Sequence, residues 1–148
     1  MMIIKIKDND KTNFIELLLL ADEQINMIEK YLYRGEMFAL YEEDLKSVCV
    51  VTDEGAGNYE LKNIATKPEY QQMGYGKKLV SFILEHYRKS GKIMFAGTGD
   101  SPATIGFYNS CGFVCSHTVK DFFIDNYNHP IIENGKRLTD MIYLKKYL

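Results

Sequence analysis

The sequence lacks an excess of basic residues, a long apolar run, an even set of cysteines and any internal repeat, and each absence removes a class of function. Its 148 residues hold 18 Lys and Arg against 20 Asp and Glu, a formal net charge of −2. Nucleic-acid recognition needs a basic face, so no nucleic-acid partner is expected. The balance does tolerate a cationic substrate. The longest apolar run, Leu17 to Ala21, is far too short to span a bilayer. Met1 to Asp10 alternates apolar and charged residues and has no signal-peptide core, so the expectation is a cytoplasmic protein without a membrane partner. Cys49, Cys111 and Cys115 form an odd set with no disulfide framework, which suits a reducing compartment. Cys111, Cys115 and His117 lack a fourth zinc ligand, and Cys111 falls at an expected helix end, so these cysteines read as packed thiols and no metal is expected. No linker, low-complexity stretch or shift in composition divides the chain. A single domain over residues 1–148 is expected, and a chain of this size buries roughly 70% of its unfolded surface.

What is present is periodicity. Met2 to Lys7 alternates as a strand, and Asn13 to Tyr33 follows helical spacing, as one helix or two. Met37–Tyr41, Ser47–Thr52 and Tyr59–Thr66, separated by turn signals, predict an antiparallel meander. Gly74 to Lys89 carries Leu79, Phe82, Ile83 and Tyr87 on one face with Gly91 beyond it, an amphipathic helix with a stop. Lys92 to Gly97 is a short apolar strand. Strand, helix, strand in that order makes a βαβ unit with parallel strands. Ser101 can cap a further helix from Pro102 to Cys111. Phe113–Val119 and Leu138–Leu144 predict two final strands.

The most informative stretch is Gln71-Gln72-Met73-Gly74-Tyr75-Gly76-Lys77-Lys78-Leu79, between a strand and a helix. Two glycines let the backbone approach an anion and turn several N–H groups outward, and the helix adds its positive end. Lysines are disfavoured in a first helical turn because the dipole repels them. Lys77 and Lys78 sit there, either facing an anion or as two solvated lysines. A dinucleotide fingerprint needs glycine at position 79, which is Leu79. A P-loop needs glycine at position 71 and Ser or Thr at position 78, which are Gln71 and Lys78.

The pattern Gln71-x-x-Gly74-x-Gly76 after a strand resembles motif A of the GNAT family of N-acetyltransferases. A second stretch at the spacing that family shows, Phe107-Tyr108-Asn109-Ser110-Cys111-Gly112-Phe113, resembles its F-Y-x-x-x-G-F. The order of elements agrees over nearly the whole chain. The resemblance implies an α/β fold with a mixed, mostly antiparallel central sheet, a splayed parallel strand pair and flanking helices. It implies acetyl-coenzyme A as cosubstrate and a primary amine of a small molecule or peptide as acceptor. By resemblance, the pyrophosphate meets N–H groups across Met73, Gly74, Tyr75, Gly76 and Lys77, with Gln71 in the motif. The pantetheine arm runs along the backbone from Asn63 through Ile64 and Ala65 to Thr66, where an N–H of Ile64 or Ala65 faces the thioester oxygen. Ser101 stands where many members carry Asn, so its contact with coenzyme A is left open.

The resemblance also assigns catalytic roles. Tyr108 occupies the position of the tyrosine that protonates the departing thiolate; otherwise it is a packed aromatic. Glu60, fourteen residues before Gly74, lies where histone-modifying relatives carry a general base; otherwise it is an exposed strand residue or draws a cation. His86 and His117 read as structural. Acceptor pockets in this family are built from the first helices and the last hairpin. The connection Asp121 to Gly135 is too long for a tight hairpin, mixes aromatics with carboxylates, and contains Pro130 and Gly135, which limit regular structure. Asp125 and Tyr127 are its candidate acceptor contacts. The alternatives are a surface flap, or a contact between two copies through Phe122, Phe123 and Tyr127. Competing functions are a coenzyme A-binding sensor without catalysis, and an acyltransferase with a different acyl donor.

Overall fold

The structure is a computed structural model describing residues 1–148. β1 (Met2–Ile6) is followed by a 3₁₀ segment (Asp8–Phe14) and two short helices, α1 (Ile15–Leu18) and α2 (Ile25–Leu32). The helical stretch predicted over Asn13–Tyr33, as one helix or two, is two helices separated between Leu18 and Ile25. Gln24 is extended (φ −126°, ψ 117°). The Asp22 carboxylate is bonded by the hydroxyls of Tyr31 and Tyr127 at 3.0 and 2.8 Å, which anchors the break. Helix-like structure also begins earlier than its apolar pattern. Lys11 is 2% exposed and donates to Leu32 O and Gly35 O at 2.9 and 2.7 Å. It therefore satisfies carbonyls left open at the end of α2.

β2 (Glu36–Glu42), β3 (Asp44–Gly55) and β4 (Asn58–Thr66) form the meander. β3 extends well past the predicted Ser47–Thr52, because both its polar ends stay paired with β2 and β4. Then come α3 (Tyr75–Tyr87), β5 (Ile93–Thr98), α4 (Pro102–Ser110) and β6 (Val114–Val119). After α5 (Phe122–Asn126) and the short strands β7 (Ile132–Glu133) and β8 (Lys136–Arg137), β9 (Met141–Tyr147) ends the sheet. The seven-stranded order is β1-β2-β3-β4-β5-β9-β6, with β4 and β5 parallel and every other pair antiparallel.

The connection before β9 holds more regular structure than Pro130 and Gly135 suggested. Asn134 and Gly135 both take positive φ (51° and 76°), the Asn-Gly turn of a two-residue hairpin joining β7 to β8. The final strand begins at Met141, not Leu138. Leu138 is buried, and its N–H goes to Ile131 O at 2.8 Å instead of to the sheet.

Both faces of the sheet centre are covered, which explains why β2 and β3 read as continuous apolar runs. Phe38, Leu40, Cys49 and Val51 pack with Leu79, Val80 and Ile83 of α3. Met37, Ala39, Val48 and Val50 pack with Leu18, Ile28 and Leu32 on the opposite side. Only some of the cysteines are packed thiols as expected. Cys49 is buried and Cys111 half-buried, but Cys115 is exposed on the edge strand β6.

Two irregularities open the sheet. β4 pairs with β5 from Asn58↔Ile93 only as far as Leu61↔Ala96. From Lys62 to Thr66 its outer edge has no strand beside it. The register against β3 also slips: Val51 faces Leu61 but Val50 faces Asn63, leaving Lys62 as an extra residue. Such a bulge reverses the facing of the strand. Leu61 accordingly packs on the α3 side and Ala65 on the α1–α2 side.

Candidate active site

A cavity of about 770 Å³ runs from the start of α3, past the unpaired end of β4, to α4 and the connection before β9. At one end lies the glycine turn. Gln72 and Gly74 have φ of 61° and 88°, and Gly74 is the N-cap of α3. No side chain caps this helix, and no acidic residue sits in its first turn. The first bond into it runs from Lys78 N to Gly74 O, so the N–H groups of Tyr75, Gly76 and Lys77 have no acceptor in the protein. A Cβ on Gly74 would meet nothing within 4 Å, whereas one on Gly76 would lie 3.4 Å from Phe107. The first glycine serves the backbone and leaves open space above it; a side chain starting at the second would come into ordinary contact with Phe107 of α4. Gln71 donates to Thr66 O at 3.2 Å, tying the turn to the end of β4. Met73 and Lys77 are exposed, and Met73 does not line the cavity while Lys77 does.

Further along, Ile64, Thr66, Phe107 and Tyr108 line the walls. Ala65 faces away, into the α1–α2 core, so only its backbone can reach the cavity. Tyr108 is 5% exposed and packed edge-on to Phe107 and tilted against Phe113. Asn63 Oδ1 is the only fully enclosed side-chain polar atom without a partner, so the Tyr108 hydroxyl opens on the cavity. Burial first, and the nearby Cys111, Cys49 and Glu60, push the Tyr108 pKa well above its ordinary value. The hydroxyl therefore holds its proton at neutral pH and is available as a donor. Ser101 does not face the cavity. Its hydroxyl caps α4, accepting from Thr104 N at 3.4 Å.

A second cavity of about 280 Å³ lies beside the first and shares the wall formed by Asp22, Lys62, Gly97, Tyr127 and Met141. Glu60 lines this second cavity, not the first. It is paired with Lys62 at 3.1 Å and accepts from Tyr143 OH at 3.3 Å. Burial raises the Glu60 pKa, against the pull of Lys62 and the Tyr143 bond. The structure thus brings the glycine turn, β4 and Tyr108 into one cavity and sets Glu60 across the adjoining wall. Tyr127 lines both cavities; Asp125 is exposed on α5 and lines neither.

Asp22 and Tyr143 line these spaces although the sequence did not single them out, while Tyr31 was expected only on a helix face and Asn63 only as backbone at the start of the donor-arm edge. The signal at Asn63 was a carboxamide in period with the apolar Leu61 and Ala65, although the Lys62 bulge sets Leu61 on the opposite face of the sheet.

Residues 10–113 match the profile of the Acetyltransferase (GNAT) family. The chain is 35% identical over 146 residues to the uncharacterized N-acetyltransferase YvbK of Bacillus subtilis (strain 168), covering 95% of this chain and 94% of the relative. Among solved structures it is similar to an IAA acetyltransferase from Bacillus cereus ATCC 14579, at 31% identity, TM-score 0.92 and 99% of each chain. It is also similar to a GNAT acetyltransferase from Elizabethkingia anophelis with acetyl-CoA bound, at 34% identity and TM-score 0.91, over 99% of this chain and 97% of that one. With the matched segment spanning the glycine turn and the Tyr108 helix, and with sheet order and splay in agreement, the chain belongs to the GNAT family of acetyltransferases.

Proposed function

We propose that this protein transfers an acetyl group from acetyl-coenzyme A to a primary amine of a small molecule or peptide, by direct attack with both substrates bound. The observation that carries this reading is the uncapped start of α3, whose unpaired N–H groups open on the same cavity as Tyr108. Oriented donors at a helix start suit a pyrophosphate, and the similar structure that holds acetyl-CoA supports the donor's identity.

In this reading the N–H groups from Met73 to Lys77 take the pyrophosphate, and the Lys77 ammonium adds charge. Gln71 keeps the turn on Thr66. The acyl-carrying arm lies along the unpaired edge of β4 at Ile64, Ala65 and Thr66, where a backbone N–H stabilises charge on the thioester oxygen. Ser101 serves by capping α4, which carries Tyr108. The amine attacks the carbonyl carbon, a C–N bond forms and the C–S bond breaks. Tyr108 gives its proton to the leaving sulfur, and Glu60 takes the nitrogen's proton directly or through water. The acceptor enters past Tyr127, with Asp125 adding negative charge at the surface of α5. Three free thiols fit a reducing, cytoplasmic setting.

The test is release of coenzyme A thiol from acetyl-coenzyme A with a panel of primary amines. Amine-dependent release with formation of the N-acetyl product is expected. Tight coenzyme A binding with no release across the panel overturns the reading in favour of a non-catalytic sensor. Release with longer acyl donors only moves it to another acyltransfer.

A further inference from the structure

A row of side chains crosses four strands on the face of the sheet that lines the smaller cavity. Glu60 on β4 stands opposite Phe95 on β5. Gly97, two residues further and so on the same face, stands opposite Tyr143 on β9, which in turn stands opposite His117 on β6. Gly97 carries no side chain, and Tyr143 leans over it: a Cβ there would lie 3.1 Å from the Tyr143 ring and 2.8 Å from Met141 Sδ. The lean carries the Tyr143 hydroxyl across β5 to Glu60 Oε2, 3.3 Å away and two strands from its own. From the other side His117 stacks on the Tyr143 ring, with centroids 4.7 Å apart and planes within 6°. Phe95 meets His117 edge-on at 6.0 Å. The hydroxyl bond is long for O–H···O, so the ring's seat, not the bond, fixes where the phenol points.

The two oxygens of Glu60 are treated differently. Lys62 Nζ approaches Oε2, at 3.1 Å, the same oxygen that Tyr143 bonds. Oε1 takes no hydrogen bond from the protein, and it is not fully enclosed, since Asn63 Oδ1 is the only enclosed polar side-chain atom without a partner. The two donors also differ in what they can fix. Lys62 carries its charge on a flexible stem and pulls on Glu60 more strongly than Tyr143 does. The Tyr143 ring is rigid and wedged between Gly97 and His117. Burial first, then the Glu60 charge, push the Tyr143 pKa well above its ordinary value, so the phenol keeps its proton and donates. The other charged groups around Glu60 are Glu54 on β3, which pairs with Arg34, and Asp22 and Lys30 on the same cavity wall; His117 lies behind Tyr143.

We propose that Tyr143 is the positioning residue of the base: seated over Gly97 and backed by His117, it holds Glu60 by Oε2 and leaves Oε1 for the acceptor nitrogen. Lys62 supplies charge to the carboxylate and Tyr143 supplies its direction. As the C–N bond forms, the nitrogen's proton passes to Oε1, directly or through water, while Tyr108 protonates the leaving sulfur. This assignment rests on the reading of Glu60 as the group that takes the nitrogen's proton.

The experiment is a double-mutant cycle. Thiol release from acetyl-coenzyme A is measured across pH with n-butylamine, 1,4-diaminobutane and L-lysine methyl ester, for the wild type, Tyr143→Phe, Glu60→Gln and the double variant. Tyr143→Phe keeps the ring and its stack and removes only the hydroxyl. Its kcat should drop by about tenfold, the worth of one hydrogen bond to a charged group, with the acetyl-coenzyme A KM near the wild-type value. The acid limb of its kcat profile should move to higher pH, because a donor that favours the carboxylate is gone. In the Glu60→Gln background the same change should cost nothing further, since the group it positions is absent. Tyr143→Phe with wild-type kcat and limb overturns the proposal. So do losses that multiply in the double variant, which would place the hydroxyl's action elsewhere than on Glu60. Glu60→Gln with wild-type kcat and limb overturns the base reading, and the assignment of Tyr143 with it. A wild type that releases no thiol with any of the three amines overturns acetyl transfer to them, and both roles fall together.

Discussion

At the scale of single residues, burial and the absence of a partner set what each group can do. Tyr108 is enclosed by Phe107 and Phe113, and its raised pKa keeps the phenol protonated. Tyr108→Phe removes one oxygen and leaves the ring packing. It should lower kcat by about 10²-fold or more, the range for a general acid, with the acetyl-coenzyme A KM and the melting temperature unchanged; steady-state kinetics and thermal unfolding check both. A base must be deprotonated to act, and burial raises the Glu60 pKa. The acid limb of kcat/KM should therefore lie above the ordinary glutamate value of about 4.3. Glu60→Gln should flatten that limb in a pH–rate profile, and a limb that persists assigns proton removal to another group. Tyr108 was legible because it sits inside a dense local motif. The contacts of Asn63 and Asp22 were not, because their partners come from distant segments: Asp22 and Tyr127 are 105 positions apart. No local pattern records such a contact.

Among the elements, the start of α3 and the end of α2 show opposite solutions to open backbone groups. α3 leaves its first N–H groups unpaired under an uncrowded Gly74. Gly74→Glu places a carboxylate over them and strains a residue at φ 88°. Coenzyme A affinity should drop strongly in calorimetry while the far-ultraviolet circular dichroism keeps its shape; wild-type affinity would remove the turn from the donor site. α2, by contrast, has its last carbonyls closed by Lys11. Lys11→Met leaves Leu32 O and Gly35 O buried without that donor. The loss should be about 2 kcal/mol, a drop in melting temperature of roughly 4–8 °C for a chain of this size. The strands and the two long helices were legible from spacing, because their apolar faces meet a core at fixed periods. Of the short helices, α1 and α2 fall inside the helical spacing over Asn13–Tyr33, whereas the 3₁₀ segment from Asp8 and α5 carry no such spacing. Lys11 looks solvated in sequence, and the break at Asp22 depends on tyrosines outside its own segment. The Asn134-Gly135 hairpin did carry a local signal, which the breaking effect of Pro130 and Gly135 outweighed in the reading.

Across the whole molecule, carboxylates bonded between elements set the response to acid. Burial pulls the Glu36 pKa up, but bonds from Lys5 and from Tyr87 at 2.6 Å outweigh it and leave the value lowered. Glu54 is lowered in the same way by Thr52 and Arg34. A carboxylate whose pKa is depressed on folding stabilises the fold above its unfolded value and loses that contribution as pH falls through the folded one. Stability should therefore decline below about pH 4. Glu36→Gln should be less stable than wild type at neutral pH and lose less on acidification, as read by thermal unfolding at both pH values; an equal loss in both proteins would separate Glu36 from the acid response. The open end of β4 has a consequence for regulation. On the proposed binding mode, a donor arm lying along residues Lys62 to Thr66 would complete the sheet where β5 departs, and the spent carrier has the same arm. Free coenzyme A would then compete with the donor for the same edge, and the rate would respond to the ratio of acetylated to free coenzyme A. A protein whose sheet is finished by its own cosubstrate would be, in effect, a gauge of acetyl supply.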